Sequence, residues 1–337
     1  MAAKASKHAA RGAGRKRAAA KGQSKQSVAA TREAALIRKM LCSDCSERRH
    51  LLVQDLIYNL SRELAELAYS SGFELGGEAY RDSDKTFDSL GRLLSNAGMG
   101  KTTFRPFEHH GIITAYGVEP HGAQLGMRIH AFEAGIIAGY LSAHARKRII
   151  VWEMNCACNG AGFCQFVASS SLGTAEEHGK SMGVDKLARL VDASMRSHAD
   201  LSTSKPYYAL LTRPLLREPV LSNASKLMYL IGKRLAGSVR QNPREFERGV
   251  ARIAGYLGIE RAKVISGRGK GRAIDLHYDH YGSTSGFVDL TTAMLAGFSK
   301  GVFNKNVHIQ KRLNGRRNYS VRMFLLPAAA RRGGVRP

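Results

Sequence analysis

Acidic residues are scarce in this sequence, cysteines are few, and no long apolar run occurs; each shortage removes a class of protein. Asp and Glu number 27 against 52 Lys and Arg in 337 residues, leaving a formal charge of +25. Such a field repels cationic partners and attracts polyanions or an anionic membrane surface. The five cysteines, an odd number at positions 42, 45, 156, 158 and 164, do not form a secreted disulfide framework. They suit a reducing interior, so the expected compartment is the cytoplasm. No stretch approaches the roughly 18 apolar residues of a membrane span, and the basic N-terminus lacks the apolar segment of a secretory signal.

Two catalytic signatures are also missing. There is no dinucleotide fingerprint, and the segment Ala97 to Phe104, AGMGKTTF, fails as a phosphate loop because Ser95 stands where the first glycine is required. Gly98 and Gly100 read instead as a helix stop before a strand from Thr102 to Phe107. His109 and His110 fall in the turn before a second strand, Ile112 to Val118.

What is present is enough length for about two domains and 44% apolar residues, a globular value. The most informative stretch runs from Gly126 to Val167. Phe132, Ile136, Ile137, Tyr140 and Leu141 recur at helical spacing, with Ala131, Gly135, Gly139 and Ala143 as a ladder of small residues beside them. Basic Arg146 to Arg148 close this helix. Ile149 to Asn155 is β-branched and aromatic, Cys158-Asn159-Gly160 supplies a turn, and Phe163 to Val167 returns as a strand. His130, Glu153, Cys156 and Cys164 form the spacing His-x22-Glu-x2-Cys-x7-Cys, a donor set suited to tetrahedral zinc. Residues 153 and 156 face opposite sides of an ideal strand, so convergence requires a bulge near Met154 and Asn155. Cys158 is the rival fourth donor.

On the two helix glycines, the strand ending in Glu153 and Cys-x7-Cys, residues 52–168 resemble the 4-vinyl reductase domain family. That family includes the sensor domains of phenol-responsive bacterial regulators and many stand-alone archaeal proteins. The resemblance implies an α+β fold akin to vesicle-tethering transport-particle subunits, a dimer-forming habit and a buried pocket for a small apolar ligand. It also implies zinc held through Cys, Glu, Cys and Cys, with His130 in the place of the first cysteine. The family name adds an alternative, an enzyme reducing a vinyl group on a tetrapyrrole.

The second half repeats the first. At an offset of 158, Phe132, Ile136, Ile137 and Tyr140 become Leu290, Met294, Leu295 and Phe298, and Gly135, Gly139 and Ala143 become Ala293, Gly297 and Gly301. Phe87 of an earlier helix, 87–94, matches Phe246. The expected fold class is therefore α+β, with two tandem copies of one helix-plus-antiparallel-sheet domain that together act as an intramolecular pseudo-dimer. The expected limits are a disordered basic tail, 1–34, a first domain, 35–168, and a linker with one helix, 169–205. A second, degenerate copy, 206–327, and a basic C-terminal tail, 328–337, complete them. The metal set is lost in the second copy, where Lys311 and Asn314 replace Glu153 and Cys156.

Charge is concentrated at two places. Residues 1–32 hold nine basic and no acidic residues, and residues 261–337 hold 15 basic against three acidic. Arg15, Lys16 and Arg17 of the tail, and Arg268, Lys270, Arg272, Arg316 and Arg317 of two turns, are the expected contacts to nucleic acid or another polyanion; Tyr278, Tyr281 and Tyr319 read first as strand core residues by their alternation and alternatively as rings that stack on bases. A generally basic proteome is the competing explanation. A helix from Leu51 to Tyr69 with a leucine stripe opens the first domain, preceded by a lone Cys42-x2-Cys45. The function expected is a non-enzymatic, zinc-containing ligand-binding or sensor module with a basic docking surface; a structural subunit of an assembly is a further alternative.

Overall fold

The computed structural model describes residues 62–106, 110–116, 128–170, 183–197, 205–239, 242–266, 272–278, 285–314 and 318–326, with the helical residues 34–38, 40–41 and 58. In the first half, helices α1 (Arg62–Arg81) and α2 (Phe87–Leu94) precede strands β1 (Lys101–Pro106) and β2 (His110–Tyr116). Helix α3 (Ala131–Ala145) precedes β3 (Ile150–Asn155) and β4 (Cys164–Ser169). Helices α4 (Val184–Ser197) and α5 (Lys205–Thr212) follow. The same series then returns as α6 (Val220–Leu235), α7 (Pro243–Tyr256), β5 (Arg261–Ser266), β6 (Arg272–Tyr278), α8 (Ser285–Phe303), β7 (Asn306–Asn314) and β8 (Asn318–Leu326). Both sheets are antiparallel, and their strand orders correspond: β1-β2-β4-β3 and β5-β6-β8-β7. The α+β class expected of the sequence is thus present as two four-stranded sheets with helices.

Local chemistry explains the boundaries. Thr86 caps α2, its hydroxyl accepting from the Ser89 amide at 3.2 Å. The chain then leaves the helix through Gly98 and Gly100, both at positive φ, and Gly258 plays the same part before β5. Helix α3 is buried on every side from Ala131 to Leu141, so its apolar character all round reflects a central position rather than an amphipathic one.

That position depends on small residues. A Cβ placed on Gly72 or Gly76 of α1 would collide with the Phe132 or Ile136 carbonyl, and one on Gly135 or Gly139 of α3 with the Tyr69 or Phe73 carbonyl. The two backbones therefore touch. In the second half Gly232 of α6 lies against the Met294 carbonyl and Gly297 of α8 against that of Tyr229. The outermost pair has been relaxed there, since Ala293 stands in the place of Gly135.

Two expectations change. The opening helix does not stop at Tyr69 but continues to Arg81, because Gly72 and Gly76 serve the close contact and do not break the helix. Its buried face is Ala65, Ala68, Gly72, Leu75, Gly76 and Ala79, while Leu64 and Leu67 are only half-buried; a backbone contact selects small side chains over the leucine stripe. Each glycine ladder is used within its own half.

The halves are joined by α5 instead. Tyr207 donates to the Glu133 carboxylate of α3 and packs edge-on against Phe132 at 5.9 Å. The next residue, Tyr208, donates to the Leu257 carbonyl at 3.2 Å and packs against Phe287 at 5.5 Å. Adjacent tyrosines so grip opposite halves.

The backbone contact predicts a sharp contrast between glycines. Gly139→Leu forces α1 and α3 apart and should cost about 1 to 3 kcal/mol or more. Gly255→Ala, at an exposed helical site where a Cβ meets nothing within 4 Å, should be neutral or gain about 0.5 to 1 kcal/mol. Thermal unfolding of both variants checks this; equal melting temperatures would contradict it.

Candidate metal centre

His130 ends the loop into α3 and occupies the N-cap position of that helix. Its imidazole is thereby aimed at the sheet below, where β3 and β4 meet. The β3–β4 register advances by two residues on one strand and one on the other between Glu153 and Asn155. This bulge at Met154 turns Glu153 and Cys156 to the same side, as the spacing required. Cys156 then enters a 3-10 turn, Ala157–Asn159, closed by Gly160 at φ 89, and the amides of Asn159 and Ala161 donate to the Cys156 carbonyl. The turn delivers Cys164 at the first position of β4.

All four side chains are buried, and one donor atom from each lies within 4.8 Å of the others. His130 Nδ1 is 3.5 Å from Cys156 Sγ and 3.7 Å from Cys164 Sγ. A tetrahedral zinc with about 2.3 Å bonds to sulfur and about 2.05 Å to nitrogen has nitrogen–sulfur edges of roughly 3.5 Å, so these separations fit. The His130 Nδ1–Glu153 Oε1 edge is 2.7 Å. That is a hydrogen bond, and a cation would open it by roughly 0.6 Å. Outer contacts orient the set: the His130 amide donates to Glu153 Oε2 at 3.1 Å, and the Ala157 amide donates to Cys164 Sγ at 3.3 Å, as thiolate ligands commonly require.

Metal-free, the cluster retains protons. Burial pushes Glu153 up from 4.5 to about 7, against the pull of His130. Burial acts to lower His130, but Glu153 and the two cysteines outweigh it and hold the imidazole well above 6.5. The Cys164 thiol is pushed up by its hydrogen bond with Cys156 and then by burial. A metal ion would reverse this, since it needs neutral imidazole, carboxylate and thiolates.

The second half closes the same junction without these donors. By strand register Tyr278 and Tyr319 occupy the places of Ala115 and Cys164, and Val288 falls at that of His130. The buried Tyr278 hydroxyl meets Thr291 at 3.0 Å and Thr292 at 3.1 Å. Lys311, in the place of Glu153, pairs with Asp289 at the start of α8. The tie between helix start and strand is kept with opposite polarity.

Other expected site residues fare differently. Arg15, Lys16, Arg17, Arg268, Lys270, Arg316, Arg317, Tyr281, Cys42 and Cys45 lie outside the described residues; Arg272 opens β6, but its side chain lies outside them, as does that of Cys158. Tyr278 is buried in the core and is unavailable for stacking on bases, and Tyr319 is half-buried. One buried polar group was not read from the sequence: Glu133 is 1% exposed, with Oε2 lacking a hydrogen-bond partner. Its signal was an acidic residue inside an otherwise apolar helix.

Among known proteins, residues 119–170 match the 4-vinyl reductase domain. An uncharacterized protein of Methanocaldococcus jannaschii, MJ0150, is 25% identical over 118 residues, covering 34% of this chain. The chain spans 64% of that relative's length. Among solved structures, a vinyl-4-reductase family protein from M. jannaschii is 21% identical with a TM-score of 0.26, covering 31% of this chain and 68% of that one. The phenol-responsive sensory domain of the transcription activator PoxR is also 21% identical, with a TM-score of 0.29, covering 35% and 71%.

The protonation pattern sets a pH dependence. Raised values for Glu153 and His130 mean that the folded metal-free chain holds protons the unfolded chain has released: Glu153's share of the stabilisation is complete below about 4.5 and is lost as pH rises through about 7, while His130's is complete below 6.5 and is lost as pH rises through its own raised value. Zinc acts oppositely, because it displaces the same protons. The gap in melting temperature between zinc-loaded and chelator-treated protein should widen from pH 5 to 8, and a gap independent of pH would contradict the assignment.

Proposed function

We propose that this chain, whose residues 119–170 match the 4-vinyl reductase domain, is a binding module built from two tandem copies of that domain, only the first of which is closed by a metal ion. The observation that carries the reading is the convergence of His130, Glu153, Cys156 and Cys164 on one buried point. Two thiolates, an imidazole and a carboxylate favour zinc over harder cations. Four protein donors fill a tetrahedral shell and leave no position for water or substrate, so the ion's part is structural: it fixes the start of α3 to the β3–β4 hairpin. Vinyl-group reduction is the weaker reading, because a closed shell offers no Lewis-acid position.

The tandem reading is supported by the matching strand orders and by glycine-mediated helix pairs in both halves. It assigns 35–168 to the first copy and 206–327 to the second, whose junction Tyr278, Thr291 and Thr292 fill. The domain match supports a small apolar ligand as the molecule sensed. The excess of basic residues supports a second role, docking on nucleic acid through the second copy and the N-terminal tail, with a regulatory module as the resulting picture.

Elemental analysis of full-length protein purified without chelator should find about one zinc per chain. In Cys156→Ser with Cys164→Ser, the zinc should be lost and the melting temperature should fall. Wild-type protein that is fully folded and free of metal would end the metal reading.

A further inference from the structure

The outer face of the second sheet carries exposed cations on three of its four strands. Alternation along β6 and β8 sends Ile274, Leu276, Tyr278, Val321, Met323 and Leu325 inward to the core. The residues between them point outward and align across the strands in three rows. Arg261, His277, Ser320 and Arg312 form the first. Lys263, Asp275, Arg322 and Gln310 form the second, and Ile265, Ala273, Phe324 and His308 the third. Arg261, Lys263, His277, His308, Arg312 and Arg322 are all exposed. The single acid in these rows, Asp275, is committed to Arg322, which it holds through two 2.6 Å contacts.

The two sheets differ in where their outward cations lie. The corresponding outward positions of the first sheet place Trp152, Val167 and Ile112 in one row, and their cations, Lys101 and Arg105, lie only on the edge strand β1. The second face instead spreads four cations, Arg261, Lys263, Arg312 and Arg322, over three strands.

We propose that this face binds single-stranded nucleic acid, which rests on the nucleic-acid part of the reading above and gives it a location. Neighbouring strands are about 4.8 Å apart, so the four columns span roughly 14 Å of nearly flat, basic surface over which a flexible phosphate backbone can run. Bases need flat partners. Phe324 is half-buried with its neighbour His308 at 6.3 Å between ring centroids, and Arg322, two residues from Phe324 on the same face, has its guanidinium fixed by Asp275. Rings and guanidinium planes on an open sheet suit unstacked bases. A duplex hides its base faces and would meet only the charges.

The test uses the full chain, freed of copurified polyanion, and fluorescence anisotropy with labelled 12-residue oligouridylate, oligothymidylate and a mixed-sequence duplex. Wild type should bind the single strands more tightly than the duplex. Arg261→Gln with Lys263→Gln and Arg312→Gln should reduce single-strand affinity at least tenfold and lower the salt slope by about 2, at about 0.7 per lost contact. A charge-matched control, Lys186→Gln with Arg189→Gln and Lys226→Gln, should change affinity less than threefold. Phe324→Ser should weaken single strands about tenfold and the duplex little, with unchanged near-ultraviolet circular dichroism verifying the fold. Single-strand binding that survives the sheet substitutions but disappears on deleting residues 1–32 overturns the face and keeps the tail. Absence of binding to every oligonucleotide at low salt overturns the nucleic-acid reading itself. Loss of binding to anionic phospholipid vesicles in the sheet variant, with oligonucleotide affinity intact, assigns the face to membranes and overturns the proposal.

Discussion

Four glycines set the distance between α1 and α3, and most of the first half follows from that distance. Because Gly72, Gly76, Gly135 and Gly139 let two backbones touch, α3 lies deep enough to be buried on all sides. Its N-terminus then comes down on the β3–β4 hairpin, within reach of the bulge. A wider helix pair would lift His130 away from Glu153 and the two cysteines. The packing contact and the candidate metal centre are thus one construction: small residues place the helix, and the donors secure its end.

The second half meets the same requirement by other means. Gly232 and Gly297 retain the close helix pair, but the junction under α8 holds a phenol between two threonine hydroxyls and a Lys311–Asp289 tie at its rim. A buried hydroxyl cluster of this kind is satisfied without any ion. On its outer surface this half carries exposed Arg312 and Arg322 where the first sheet has Met154 and Val167. One half thus offers the candidate metal centre and the other a basic sheet face, and α5 binds the two together with Tyr207 on one side and Tyr208 on the other.

Much of this was legible in the sequence because it rests on local rules. The helix 87–94, the glycine exit at 98 and 100, the hairpin after α3 and the bulge demanded by residues 153 and 156 all follow from spacing and turn chemistry. The helical segment between the halves was also legible from its period, and α4 is found at Val184–Ser197. What escaped depends on partners distant in the chain. No local rule says that α1 buries alanines and glycines in preference to leucines, since only α3 makes that face valuable. Likewise Glu133 acquires a partner only when α5 arrives 74 residues later. The basic sheet face was visible as composition but not as a surface, because its rows exist only across strands.

The account turns on what ion, if any, joins α3 to the hairpin, and X-ray absorption at the zinc edge reads that shell directly. Four-coordinate zinc with two sulfurs at about 2.3 Å and two nitrogen or oxygen donors at about 2.0 Å is the predicted result. Three sulfurs would bring Cys158 into the shell in place of His130 or Glu153, and an all-oxygen, six-coordinate site would contradict the assignment altogether.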